Sequence, residues 1–295
     1  SRTWINLPAV FSSDAHTANA HALEHLMSGA GGVMFDTTQA PPADINRLLA
    51  DIQLQHCFTA FRIASDPNFL QTISDYLKNA AVPAEASGAL FWESIPKKGD
   101  WNLILHEYHN FHSLGIIISP SSPAKEIADA LTTGVAIIDE LCRSYPLASV
   151  FHALCFSLPA DSVFFESIAK FRALRLLWYQ IAHAYGLSDY NSDALYIHAF
   201  SRTVPDGAYA PHENMLKGTF SAMASILGGC SAVTVEAPDQ PSLGGWARNV
   251  ANILAEESSL GAAPDPTAGA YSIDCITESI AKRAWSLFQQ NVRAL

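Results

Sequence analysis

Eight short runs rich in β-branched and aromatic residues recur along this chain, each followed by a segment long enough for a helix. That alternation leaves few folds open. The clearest unit is ALYIHAFSR, a polar loop, PHENMLKGTFSAMASILGG and then SAVTVEAP: a strand, a helix stopped by Gly228 and Gly229, and a second strand. The spacing predicts strands over 4–11, 32–37, 56–64, 88–94, 114–119, 148–158, 194–201 and 231–237. It predicts helices over 14–28, 43–53, 67–79, 100–111, 124–143, 161–185, 212–227 and 243–259. Asp14, Asp66 before Pro67, and Asp161 after Pro159 are helix-start signals. Short apolar strands that each lead into a helix form a parallel sheet covered on its faces, and eight such units favour a closed (β/α)8 TIM-type barrel. Residues 1–260 would form the barrel. A Gly- and Pro-rich connector and a C-terminal helix, 261–295, would pack on it as an appendage.

Composition narrows the partners. Of the 295 residues, 49% are hydrophobic, enough for a sizeable core, and the formal net charge is −11. With no basic run, neither nucleic acid nor an anionic membrane finds the clustered cations it needs. No apolar run reaches the length of a membrane span. Cys57, Cys142, Cys155, Cys230 and Cys275 are odd in number and widely spaced, as reduced thiols of a cytoplasmic protein are. The chain starts at Ser1, immediately before a strand, so an upstream segment is left open.

Several short patterns carry chemistry on paper. His21, Glu24 and His25 fit the HxxEH arrangement of some zinc enzymes, but no third ligand follows in context, and a polar helix face gives the same spacing. His106, His109 and His112 recur every third residue, a spacing that drifts around a helix and reads as a solvated face. No metal site is expected. Asp14 and His16 match the start of a DxHxxG cobalamin motif, yet Asn19 stands in the place of its glycine, and Asp14 serves as a helix N-cap. No nucleophile elbow, Walker loop or dinucleotide fingerprint is present. Gly31-Gly32 and Gly228-Gly229 read as left-handed helix ends.

Three segments, FFESIAKFRALRLLW from Phe164, His198 through PHENMLKGTFSAMASILGG, and RNVANILAEES with PDPTAGAYSIDCITESIAKRAWSLF, resemble the barrel domain of the methylmalonyl-CoA mutase family in order and spacing. The N-terminal half agrees more loosely, through Asn19, Ala20, Leu23, Leu26, Gly29 and Ala30. The resemblance implies a TIM-type barrel that in catalytic members threads an acyl-CoA along its axis beneath adenosylcobalamin, which starts a radical rearrangement. No cobalamin-binding domain is expected in this chain.

The departures from the family pattern fall on the expected acyl-CoA site. A GYHMQEAGA-like stretch is replaced by ISPSSPAKE, with Ser121 in the region where a histidine belongs. An Arg-x-Ser after the sixth strand is replaced by Ala153-Leu154-Cys155. A His-x-Gln on the seventh strand becomes His198-Ala199-Phe200, and a GGTQS-like turn becomes GGCSA with Ser231. Ser121, Ala153, Cys155, His198, Phe200 and Ser231 are therefore read as degenerate site positions, and no catalytic residue is expected. His198 is read as a polar core group satisfied by backbone. The resemblance implies the small, non-catalytic subunit of a heterodimeric mutase, with a large catalytic partner and adenosylcobalamin belonging to the complex. Homodimerisation of the isolated chain stays open. Two other readings stay open: an acyl-CoA mutase barrel for another substrate with cobalamin supplied by a separate subunit, and an unrelated barrel enzyme using His198 with Glu236 or Asp239.

Overall fold

Strands with both faces buried need helices outside them and side chains packed inside, and the chain meets both needs. The computed structural model describes residues 3–294 apart from 12–13, 39–43, 65, 81, 97–99, 202–210 and 237–243; Asp239 lies outside the described residues. Strands β1 (Ile5–Asn6), β2 (Ala9–Phe11), β3 (Gly32–Asp36), β4 (Phe58–Ile63), β5 (Gly88–Trp92), β6 (Phe111–Ile117), β7 (Leu154–Ala160), β8 (Tyr196–Ser201) and β9 (Ala232–Thr234) are hydrogen-bonded in one parallel sheet. β1 and β2 are the two halves of the first barrel strand. Ile5 and Asn6 pair with Ala232 and Val233 of β9, while Ala9 to Phe11 pair with Met34 to Asp36 of β3. The strand therefore joins the sheet's two edges and closes the barrel. At the crossing, Leu7 N–H donates to the Val233 carbonyl and Met34 N–H to the Pro8 carbonyl, both at 3.0 Å. Pro8 has no N–H to give, so the ladder changes neighbour where it can spare a bond.

Helices α1 (Ala15–Met27), α2 (Ile45–Leu48), α3 (Pro67–Asn79), α4 (Asn102–Glu107), α5 (Pro123–Leu141), α6 (Leu147–Ala153), α7 (Phe164–Ala184), α8 (Pro211–Gly228), α9 (Gly244–Glu256) and α10 (Tyr271–Ala294) surround the sheet. Asp14 and Asp66 cap α1 and α3 as expected, accepting from Thr17 N–H and Asn68 N–H at 2.9 Å each. α10 packs on α7 and α5. Arg172 of α7 pins the connector before it, donating to Asp265 Oδ2 at 2.8 Å and Thr267 Oγ1 at 2.7 Å.

The structure corrects several expected elements. The segment 148–158 is not one strand: α6 occupies its first half and β7 begins at Leu154. Leu147, Val150, Phe151 and Leu154 recur at helical spacing, and a short apolar run of this kind does not reveal its period unaided. The helix over 100–111 is only one to two turns long, and Phe111 already opens β6. His106 is therefore on α4, His109 in a turn and His112 on a strand, so the three share no helix face. α7 begins at Phe164 rather than Asp161 and has no side-chain cap. The left-handed residue after α1 is Gly29, not Gly31 or Gly32; after α8 it is Gly229.

One buried ion pair locks the outer shell near the carboxyl ends of β6 and β7. Lys170 Nζ donates to Glu126 Oε2 at 2.7 Å and to the Pro159 carbonyl at 2.5 Å, while Glu126 Oε1 accepts from Ser121 N–H at 2.8 Å. Both side chains are fully enclosed. Removing one partner strands the other charge. Lys170→Met should therefore cost about 3–5 kcal/mol in urea unfolding, and adding Glu126→Leu to it should recover most of that loss. Equal stabilities for the single and double variants would contradict this account of the pair.

Candidate functional site

In a parallel barrel, inward side chains fill the axis and the carboxyl ends of the strands present any site. Leu7, Met34, Phe58, Ala60, Ala89, Phe91, Cys155, Tyr196 and Ala232 form a buried cluster separate from the shell between sheet and helices; it is the lumen. Large and small residues alternate across it: a Cβ on Gly115 would stand 2.7 Å from the Phe91 ring. At the amino ends of the strands, Tyr196 stacks between Phe58, at 5.0 Å, and His112, at 4.5 Å. Higher up, Phe91 lies 5.0 Å from the His198 ring, His198 lies 6.3 Å from Phe200, and Phe200 carries the Arg62 guanidinium at 5.4 Å. Together these rings form a column along the axis.

His198 sits at its centre, 1% exposed, because the period-2 alternation of β8 turns Tyr196, His198 and Phe200 inward. Its Nδ1 lies 2.8 Å from Ser157 Oγ, on the paired position of β7, and its Nε2 lies 2.8 Å from Thr234 Oγ1 on β9. Thr234 Oγ1 is 2.5 Å from the Leu7 carbonyl, which can only accept. That fixes Thr234 O–H as the donor to Leu7 and Nε2–H as the donor to Thr234, while the Ser157 hydroxyl partners Nδ1. The imidazole is satisfied by two hydroxyls rather than by backbone, and burial keeps it neutral, so that Nδ1 accepts from Ser157 O–H. Burial, with a smaller contribution from nearby Arg62, lowers its pKa to about 3. His112 is lowered to about 4, again mainly by burial.

The mouth is a cavity of about 480 Å³ lined by Arg62, Glu93, Ile117, Ser119, Phe200 and Glu236. Arg62 lies 3.7 Å from Asp36 and 3.8 Å from Glu236. Arg62 thus stands between the carboxylates of Asp36 and Glu236, with Glu93 on the same lining. Glu236 is thus an ion-pair partner rather than a solvated charge, and no hydrogen bond joins it to His198.

The six positions singled out from sequence are not brought together. Ala153 ends α6, Cys155 lies near the start of β7 and Ser231 precedes β9, so these three are at the amino-terminal end of the barrel. Ala153 and Cys155 therefore precede the sixth barrel strand's carboxyl end, where they were expected. His198 is in the middle and Phe200 at the mouth. Ser121 lies between β6 and α5; its hydroxyl is buried and has no hydrogen-bond partner among the described residues. His25 of the HxxEH pattern has its Nδ1 3.3 Å from the Arg248 guanidinium, a poor setting for a cation. Among the described residues no three His, Cys, Asp or Glu side chains converge as a metal site, and no helix is long and apolar enough to cross a membrane. All five cysteines are free thiols, with Cys155 and Cys230 buried and Cys275 exposed. Sequence reasoning missed Asp36 and Arg62, although each is a lone charge near the carboxyl end of an apolar strand, and the two are register partners.

The methylmalonyl-CoA mutase family model matches residues 114–294. The methylmalonyl-CoA mutase small subunit of Porphyromonas gingivalis is 26% identical over 318 aligned residues, covering 95% of this chain and 50% of that protein. The methylmalonyl-CoA mutase small subunit of Streptomyces virginiae is 33% identical over 182 residues, covering 59% of this chain and 29% of that protein. Methylmalonyl-CoA mutase of Escherichia coli is 35% identical over 137 residues, covering 43% of this chain and 18% of that protein. The chain thus spans half or less of the length of each of these relatives.

The buried histidine sets a pH dependence with a definite sign. Its folded pKa of about 3 lies below the unfolded value near 6.5, so below pH 6.5 the unfolded chain takes up a proton that the folded chain refuses. Stability falls as pH falls, by about 2 kcal/mol from this residue between pH 6.5 and 5. Urea unfolding of wild type and His198→Gln at the two pH values should show the gap between them narrowing by about that amount. A gap that stays constant, with His198 ring resonances titrating near pH 6.5, would contradict a neutral brace.

Proposed function

This chain belongs to the methylmalonyl-CoA mutase family, and on that premise we propose that it is the barrel of the small, non-catalytic subunit of a heterodimeric mutase. The complex would interconvert methylmalonyl-CoA and succinyl-CoA with adenosylcobalamin, in a compartment where thiols stay reduced. The observation that carries the reading is the occupied axis. Where an acyl-CoA would have to thread, the rings of Phe58, Tyr196, Phe91, His198 and Phe200 pack one above another. His198 has both nitrogens engaged in the string to Leu7, which leaves no proton acceptor or donor to offer a substrate. His198 and Phe200 are, in this reading, positions of a site whose recognition groups have been replaced, while Ala153, Cys155 and Ser231 at the amino-terminal end and Ser121 beyond β6 stand apart from it.

The described mouth does not fit the cofactor. Its side chains offer carboxylates already facing Arg62, and His198 is too enclosed to reach a cobalt ion or a corrin substituent. We assign adenosylcobalamin and the chemistry it supplies to the large partner. The contribution of this chain is then the stability and geometry of the assembly.

Two titrations test the reading. Calorimetry of the purified chain with methylmalonyl-CoA should give no saturable heat, while mixing the chain with the large subunit should give a stable complex with mutase activity. Saturable thioester binding by the isolated chain, or turnover when adenosylcobalamin alone is added to it, would contradict it.

A further inference from the structure

The seam of the barrel is tied on its outside by three polar contacts, one of which depends on a titratable group. Asn6 of β1 donates through Nδ2 to the Arg248 carbonyl at 2.8 Å and to Asn252 Oδ1 at 2.7 Å, both on α9. Asn252 Nδ2 donates in turn to the Ser28 carbonyl, at the end of α1, at 3.3 Å. Two amides thus link the first barrel strand, α9 and α1, and neither titrates. The third contact is different: Arg248 Nη1 lies 3.3 Å from Nδ1 of His25, in the last turn of α1. A guanidinium has donors only, so Nδ1 accepts, and it accepts only in the neutral ring that carries its proton on Nε2. Protonation turns the contact into N–H against N–H and cation against cation.

The groups around His25 keep the contact closed at neutral pH. Burial disfavours the imidazolium most, Arg248 from α9 adds to that, and His21 on α1 adds a little more, while Glu24 on α1 works against them; together they hold the pKa below its ordinary 6.5. The other elements packed on α1, which are α2, β2 and β3, bring no charged side chain of the described residues to the ring. We propose that the His25–Arg248 contact is a pH-sensitive latch on the barrel seam, closed while the ring is neutral and freeing α9 from the end of α1 when the ring is protonated. The sign follows from the lowered pKa: the latch holds above pH 6.5 and opens as pH falls below it. It acts within this chain and does not depend on the subunit reading above.

The test follows amide hydrogen exchange of the full chain at pH 7.5 and 5.5, corrected for the intrinsic pH dependence of exchange, together with the NMR titration of the His25 ring. In wild type, protection of α9 and the end of α1 should fall by about fivefold between the two pH values, with the His25 ring titrating below pH 6.5. His25→Gln keeps an oxygen that accepts from Arg248 and has nothing to titrate, so its protection in the same segments should be equal at both pH values. Arg248→Met should move the His25 titration upward, a shift that loss of packing alone would not produce. The local readout separates this residue from His198, which titrates far lower in the folded chain. A His25 ring in wild type that titrates at or above pH 6.5 would overturn the latch by itself. So would equal loss of protection in wild type and His25→Gln, because the opening would then start elsewhere.

Discussion

The hydrogen-bond string from Ser157 through His198 and Thr234 to the Leu7 carbonyl holds the barrel together where it is weakest. It crosses four adjacent strands, β7, β8, β9 and the first strand at its split. Leu7 and Pro8 are where that strand leaves β9 for β3, so the closing seam depends on few ladder bonds. A buried carbonyl at such a point needs a donor, and Thr234 supplies it. Thr234 can donate there because its oxygen accepts from His198, whose other nitrogen accepts from Ser157. Each group in the string is satisfied only because the next one is, which gives the network its energetic weight.

The same string removes the chemistry that a histidine at this place would otherwise bring. An imidazole works as an acid or base when one nitrogen faces a substrate and its pKa lies near the working pH. Here both nitrogens are engaged, and burial holds the ring far below its ordinary value. Phe91 and Phe200 pack against it, and beyond Phe200 the Arg62 guanidinium is held by Asp36 and Glu236. The packing thus points toward a barrel that uses its axis as core.

How much of this could be read from the sequence followed the range of the interactions involved. The βα alternation is local, and it indicated both the barrel and most element positions; Asp14 and Asp66 announced their helices because a cap is a contact within three residues. The run around LASVFHALCF misled, because its apolar residues fit a helix and a strand alike and only packing against the sheet decides. The lumen was legible in kind but not in detail. Small and aromatic replacements in the expected site pointed to a filled axis, yet the partners of His198 depend on strand register across residues 157, 198 and 234, which no local pattern encodes. Glu126 and Lys170 were hidden for the same reason, being 44 residues apart and meeting only once α5 and α7 are docked. The cluster of Asp36, Arg62 and Glu236 is a different case: each ends or follows an apolar strand on its inward face, a signal that period-2 reading could have used.

The central claim is that this barrel holds side chains where a catalytic barrel holds substrate. Counting acyl-CoA bound at saturation to the assembled complex, by equilibrium dialysis with a non-reactive CoA thioester, tests it most directly. One thioester per pair of unlike subunits is the predicted result, all of it on the large subunit. Two per pair, with the second lost on enlarging Ala60 or Ala89 in the lumen of this chain, would contradict the account.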